Sequence, residues 1–301
     1  MKVDKMRTLL MLFCLLCWYT RGQEKKVVLA TAESESISSV SLLAMNRRFH
    51  EMVDNGRLAG IQTAIARNGK LIHFDSYGFS NIEKKTKLDQ KSIFRIFSMT
   101  KPIVSIVLMT LYEEGKFRLD DPLHKYLPEF EEMFVFQDSV LVPAKNPIRI
   151  IDLLRHTSGF NYGRSQHEKL NEHYAAAGLE QSSNNKVFVN KLSKLPLLFE
   201  PGTDWAYGYS TNICGHLIEV LSGKSLDTFL KEKIFEPLQM NDTLFLLPKE
   251  KIHRFTVGYG WEEEGGLTVI ENEGNNRYVK KVTLYNGGGG LVSTTIDYCR
   301  N

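Results

Sequence analysis

The sequence carries little excess charge. Its 38 Lys and Arg face 35 Asp and Glu, a formal net charge of +3, and no basic run stands out. A nucleic-acid-binding chain carries a larger or clustered positive excess, so no nucleic-acid partner is expected. Cysteine is scarce. There are 4, and Cys14 and Cys17 lie in an N-terminal apolar stretch. Cys214 and Cys299 remain, either as one disulfide or as two separate buried thiols, which excludes a disulfide scaffold. The 8 histidines show neither His-x-x-x-His spacing nor a His/Cys cluster, so no metal site is expected. Long apolar runs are missing apart from Leu9–Tyr19, which is too short to span a bilayer comfortably. No internal repeat is present. With 43% hydrophobic and 24% charged residues, the composition is that of a globular protein. It excludes a wholly disordered, collagen-like or polytopic membrane chain. The 301 residues predict one or two domains with a sizeable core.

Lys2, Lys5 and Arg7 precede the apolar run, and Thr20 and Gly22 place small residues after it. This is the layout of a secretory signal peptide over residues 1–22, with a signal anchor or a mitochondrial presequence as alternatives. Its removal takes Lys2, Lys5, Arg7 and Arg21 with only Asp4, so the slight basicity belongs to this segment. A secreted or lumenal location follows, with no membrane association unless the signal stays uncleaved. Residues 23–39 read as a polar linker. Asn241-Asp242-Thr243 is a glycosylation sequon, meaningful in that compartment.

Val40, Leu43, Ala44, Phe49, Met52 and Val53 recur with helical period and stop at Asn55-Gly56. Gly60–Ala66 and Leu71–Tyr77 read as strands joined by Asn68-Gly69, a strong two-residue hairpin signal. Ile93–Phe97 is a short apolar segment. Pro102 begins a strongly helical pattern that Gly115 stops. Ile148–Arg155, Ile213–Leu221 and Ser225–Phe235 also read as helical, and Asn161–Asn185 as a polar stretch. Thr256–Trp261 and Tyr278–Leu284 read as strands flanking a loop rich in Gly, Glu and Asn. Gly287–Gly290 lacks the following Lys-Ser/Thr of a phosphate loop and reads as a tight turn. Strands at both ends with helices between predict an α+β fold: an antiparallel sheet flanked by helices, with a helical lobe inserted at about 102–235.

Ser98-Met99-Thr100-Lys101 is the first chemical constellation. A serine hydroxyl is a poor nucleophile until a neighbour takes its proton. At a helix start, positions three apart share a face, so Lys101 reaches back to Ser98. The same helix start offers free N–H groups to a developing negative charge. An N-cap serine with a surface lysine has the same spacing. Ser183-Asn184-Asn185-Lys186 also matches, but sits in the polar stretch and reads as a solvated loop. The second constellation runs from Pro201-Gly202 through Trp205, Tyr207 and Tyr209 into an apolar helix. A phenol beside an ammonium ionises more readily and serves as a general base; the alternative role of these rings is packing.

Taken together, the motifs resemble the serine β-lactamase-related family, which holds class C β-lactamases, D-alanyl-D-alanine carboxypeptidases and related esterases. The similarity rests on Phe94–Pro102, Glu113-Glu114-Gly115-Lys116, Leu119-Asp120-Asp121-Pro122, Tyr126-Leu127-Pro128, Ile151–Gly159, Pro201–Tyr207 with Gly215, Pro237-Leu238, Met240–Thr243, and Gly288–Thr294 with Asp297-Tyr298. It covers residues 40–301 and implies the β-lactamase/transpeptidase-like fold. It also implies roles: Ser98 as acyl-enzyme nucleophile, Lys101 assisting its deprotonation, Tyr207 as general base and later proton donor. Tyr209 falls at a substrate-binding place where β-lactamases carry Asn, which leans away from lactams towards esters or peptide-like amides. The implied activity needs no cofactor and takes a small-molecule or peptide acyl substrate. No Lys-[Ser/Thr]-Gly or His-x-Gly follows Gly290. The last sheet strands and one oxyanion donor, worth about 3–4 kcal/mol in the transition state, are therefore expected to be missing. A catalytically impaired, truncated member with a binding role is the alternative.

Overall fold

The computed structural model describes residues 27–300, apart from 139, 263, 264, 273 and 281. The expected signal peptide lies outside these residues. The first element among the described residues is a short strand, β1 (Val28–Leu29), inside the segment read as a linker. Helix α1 (Ser39–Asp54) follows, opened by Ser38, whose hydroxyl accepts from the Ser41 N–H. Strands β2 (Gly60–Arg67) and β3 (Lys70–Asn81) then pair antiparallel, from Gly60 opposite Gly78 to Arg67 opposite Lys70. The turn between them has φ of 50° at Asn68 and 72° at Gly69, the backbone that Asn-Gly adopts readily and that matches strand twist. β1 runs parallel to β3, and β4 (Thr86–Lys87) pairs with its far end, giving the order β1-β3-β2. The outer edge of β2 has no ladder partner among the described residues.

The buried side of α1 differs from expectation. Leu42, Met45, Phe49, Met52 and Val53 are half-buried, while Val40 and Leu43 are exposed. The apolar stripe is wider than the face the sheet covers, and helix rotation decides which part of it turns inward.

β5 (Phe94–Arg95) leads through a 3-10 turn at Phe97–Met99 into α2 (Thr100–Glu113). α2 buries Ile103, Val104, Val107, Leu108 and Leu111 in the main core. The expected helical lobe contains a hairpin, β6 (Phe134–Gln137) and β7 (Val140–Pro143). α3 is only Ile150–Leu154. The stretch read as polar holds α4 (Glu168–Ala176), and α5 (Asn185–Leu192) begins where it ends, capped by the Asn184 side chain accepting from the Val187 N–H. Ser183 and Lys186 therefore flank a helix start, exposed to solvent, rather than lying in a loop. α6 (Ser210–Ser222) buries Ile213, Cys214, Leu217 and Ile218, each with 0% exposure. α2, α3 and α5 all pack on α6, making it the axle of the lobe. Each such aliphatic side chain contributes about 1.5–3 kcal/mol through burial. α7 (Leu226–Leu230) continues into a π-helical turn, Lys231–Phe235.

β8 (Gly258–Trp261) pairs with β9 (Leu267–Glu271). The strand expected at Tyr278–Leu284 is not formed. Arg277–Val279 is a 3-10 turn, capped by the Asn276 side chain accepting from the Val279 N–H. That turn drops the Tyr278 ring into a small core with Ile93, Leu247, Phe255 and Val292. β10 (Val292–Ser293) pairs antiparallel with β5, and α8 (Thr295–Tyr298) follows. Cys214 and Cys299 are both free, Cys214 inside α6 and Cys299 half-buried after α8, so the disulfide alternative is overturned. No helix among the described residues is long and apolar enough to cross a membrane.

Candidate active site

Ser98 stands between two fixed elements. Before it, β5 is held by β10, and the Ile96 N–H donates to the Leu291 carbonyl at 3.2 Å. After it, α2 is anchored by Thr100, whose Oγ1 accepts from the Leu291 N–H at 3.2 Å. The chain fits this geometry only with Phe97 at φ 43°, a left-handed backbone that is strained in a residue bearing a Cβ. The result is an exposed Ser98 in the opening turn, ahead of the Met99 and Thr100 N–H groups, which donate to the Ile96 and Phe97 carbonyls.

Lys101, one helical turn on, is 7% exposed. Its Nζ donates to Ser98 Oγ at 3.3 Å and to the Gly288 carbonyl at 2.7 Å. The same ammonium lies 4.5 Å from the Tyr207 ring centroid and 5.6 Å from that of Tyr162. Carbonyl, hydroxyl and aromatic faces thus receive its charge. Ser98, Lys101 and Tyr207, the three residues proposed from motif spacing, converge. Burial raises the Tyr207 phenol's pKa, but the Lys101 ammonium and Ser98 hydroxyl beside it more than offset this, so it ionises below the usual tyrosine value.

Tyr207 is held by close backbone approach. A Cβ on the neighbouring Gly208 would lie 2.4 Å from the Phe160 carbonyl oxygen, so only glycine lets the 206–209 segment run against 160–161. Further back, the Asp152 carboxylate is 0% exposed and accepts from the Arg149 N–H at 3.0 Å, its guanidinium at 3.1 Å, and the Thr157 hydroxyl at 3.0 Å. Ser158 and Ser210 hydroxyls meet at 2.8 Å in full burial. The Asp152 contacts brace the 149–157 turn, and the Ser158–Ser210 pair ties it to the start of α6, which the Tyr207 segment enters.

Tyr209 points elsewhere. Its ring packs 4.6 Å from that of Tyr162 and 5.5 Å from that of Phe188, against the lobe core. It sits one ring behind Tyr207, with Tyr162 between them. Asn241 is exposed, whereas Thr243 of the same sequon is buried with its hydroxyl 2.8 Å from that of Ser293. Two contributors went unread in the sequence. The Gly288 carbonyl has no side-chain signature, and the Gly287–Gly290 turn, expected only to reverse the chain, also holds the lysine. His156 has its ring 5.0 Å from that of Tyr207 and is separated from it by fifty residues of chain. Among the described residues no group of three or more His, Cys, Asp or Glu is placed to hold a metal ion.

A cavity of about 660 Å³ adjoins Met99 and runs along the open edge of β2, lined by Ala64, Ile65, Phe94, Ile96 and Tyr298. Phe97 and Met99, which flank Ser98 in the chain, and Trp205, stacked 6.4 Å from the Tyr207 ring, expose apolar surface.

Residues 45–300 match the family model described as Beta-lactamase. Protein Rv1367c of Mycobacterium tuberculosis is 30% identical over 255 residues, covering 83% of this chain and 63% of that protein. Esterase EstB of Burkholderia gladioli is 28% identical over 285 residues, covering 88% and 70%. The chain thus spans about two thirds of the length of these relatives. Among solved structures, EstCE1, described as a hydrolase with promiscuous acyltransferase activity, superposes with a TM-score of 0.75 at 24% identity, covering 87% of this chain and 72% of that one. Two unliganded forms of simvastatin synthase (LovD) from Aspergillus terreus give 0.74 and 0.72 at 24% identity, covering 87% of this chain and 67% and 66% of those. At that identity both carry the fold alone: sheet and helical lobe in the β-lactamase/transpeptidase-like arrangement.

Proposed function

From the premise that the chain belongs to the β-lactamase family, we propose that it is a serine hydrolase acting through an acyl-enzyme on Ser98. The observation that carries this is the placement of the Lys101 ammonium between Ser98 Oγ and the Gly288 carbonyl, against the Tyr207 ring. In the ionised state Tyr207 takes the Ser98 proton as Oγ attacks the carbonyl carbon of the substrate. The carbonyl π pair moves to oxygen, and the tetrahedral intermediate forms beside the N–H groups of the opening turn. Collapse expels the alcohol or amine, which takes its proton from Tyr207. Water then attacks the acyl carbon and gives a proton to Tyr207; collapse breaks the acyl–Oγ bond, and Ser98 Oγ takes that proton back, restoring the free serine and the ionised tyrosine. Lys101, bonded to Ser98 Oγ and set against the Tyr207 ring, holds the base and the nucleophile together. No step needs a cofactor.

Tyr209 packs into the lobe at the place where β-lactamases carry Asn, and the relative EstB is an esterase. Both support esters ahead of lactams. The exposed Phe97, Met99 and Trp205 support a small-molecule or peptide substrate with apolar surface near the scissile bond. A secreted or lumenal location, and glycosylation at the exposed Asn241, belong to the same reading. A fluorophosphonate is the deciding probe. The full chain is expected to label at Ser98, and Ser98→Ala to lose the label while keeping its melting temperature. A folded wild-type protein that takes no label overturns the proposal.

A further inference from the structure

We propose that His156 is the positioning residue for Tyr207, setting its ring against Lys101 and Ser98. The inference rests on the hydrolase reading above, since it concerns the base of that reaction. Four observations support it. His156 has φ 56°, a left-handed backbone uncommon outside glycine but enriched in Asn, Asp and His. Its N–H donates to the Leu153 carbonyl at 3.3 Å, and its carbonyl accepts from the Ala206 N–H at 3.0 Å. One residue thereby ties the end of α3 to the residue preceding Tyr207. Its ring meets the Tyr207 ring at 5.0 Å and 50°, and the Trp205 ring at 6.4 Å and 68°. Nδ1 is buried with no hydrogen-bond partner among the described residues, so its ring edge contributes a wall rather than a polar link.

The groups around Tyr207 leave it one productive orientation. Ser98 and Lys101 approach from the opening of α2, Tyr162 stands 5.4 Å away on one side, and Trp205 stacks 6.4 Å away within the same segment. His156 packs on a further side, and the rest of the ring faces solvent. Burial, and then the Lys101 cation, hold its pKa below the usual histidine value and favour the neutral ring. A neutral ring presses on the phenol without competing for the ammonium. Without that wall, Tyr207 swings away from Lys101, and the phenol loses the interactions that lower its pKa.

Two variants test this. His156→Asn keeps the residue type suited to the left-handed backbone and removes the ring; His156→Phe restores a flat neutral ring. The first measurement is the phenolate absorbance near 295 nm titrated against pH, taken as a difference from the same protein carrying Tyr207→Phe. It needs no substrate. The Tyr207 midpoint is expected to rise by about one pH unit in His156→Asn and to return near wild type in His156→Phe. The second is the rate of fluorophosphonate labelling from pH 5 to 9. His156→Asn is expected to label about 30–100-fold more slowly, with its pH midpoint displaced upward, and His156→Phe to recover to within about fivefold. An unmoved Tyr207 midpoint in His156→Asn overturns the inference. So does a labelling loss that only follows the unfolded fraction in a thermal melt. Absent labelling of the wild type overturns the hydrolase reading instead, and the phenolate titration still decides what His156 does to Tyr207.

Discussion

Gly208→Ala tests how closely the active-site geometry depends on one missing side chain. A Cβ at this position would lie 2.4 Å from the Phe160 carbonyl oxygen, 2.5 Å from Asn161 Cα and 2.8 Å from the Asn161 nitrogen. Carbon–oxygen contacts settle near 3.3–3.6 Å, so the two segments must part by about 1 Å. The 160–161 side is the stiffer one. Phe160 is 0% exposed with its ring edge-on to Phe130 at 5.8 Å, and the carbonyl of the preceding Gly159 is bonded by the Leu198 N–H at 2.8 Å. The 206–209 segment, with Tyr207 exposed, is the one that yields. Overpacking of this kind costs about 1–3 kcal/mol, and the reduced freedom of the unfolded chain returns about 0.4–1 kcal/mol. The net loss of about 1–2 kcal/mol lowers the melting temperature by roughly 2–8 °C. The effect on rate is larger, because displacing a catalytic group by about 1 Å costs roughly 100-fold. Fluorophosphonate labelling rate and a thermal melt, measured on the same preparation, separate the two effects. A variant that labels within twofold of wild type would refute the argument that Gly208 sets the position of Tyr207.

Asp152→Ala strands the Arg149 N–H and the Thr157 hydroxyl in a buried site. Because the Arg149 side chain is 41% exposed and rehydrates, the expected loss is about 3 kcal/mol rather than the upper end for a buried pair, read as a lower urea midpoint with an unchanged slope. Asp121 is held down to about 2 chiefly by the Tyr126 hydroxyl, against burial, with help from the Arg118 N–H and the Lys125 ammonium. Its folded value is below its unfolded one. The stability it adds is therefore fully present above about pH 4 and is lost as pH falls through about 2, and Asp121→Asn should flatten the dependence of unfolding free energy on pH in that window. Burial pushes the Cys214 thiol up to about 12, and raises that of the half-buried Cys299 as well. Iodoacetamide is expected to modify Cys299 well before Cys214 in the folded protein, and a melting temperature lowered by dithiothreitol would contradict two free thiols.

What was legible in the sequence was local. The β2–β3 pair follows from Asn68-Gly69, which sets the turn, while a bulge between Ile65 and Ala66 shifts the register beyond it. α2 and α6 follow from apolar periodicity, most of which the core uses, although Ile106 and Val220 face solvent. Ser98 and Lys101 were legible for the same reason, since a three-residue spacing at a helix start needs no tertiary contact to bring them together. The misread elements are those where a distant partner overrides local pattern. Tyr278–Leu284 alternates like a strand, yet the Asn276 cap and the pocket formed by Ile93, Leu247 and Phe255 draw it into a turn. The β6–β7 hairpin turns at Asp138 with φ 49°, without the Gly or Asn-Gly that marks such a turn. The site divides along the same line. Lys101 finds its second acceptor 187 residues away, on a backbone carbonyl that any residue type would present. Phe97 holds a backbone conformation that its own side chain disfavours, and Gly208 is needed only because Phe160 and Asn161 lie against it. Local preference is broken on both sides of the reacting groups, beside the nucleophile and beside the base. Such violations gather where a structure must orient side chains rather than merely bury them. The residue types that the proposed acyl transfer calls on are therefore written locally, whereas their orientation depends on contacts that only the folded chain supplies.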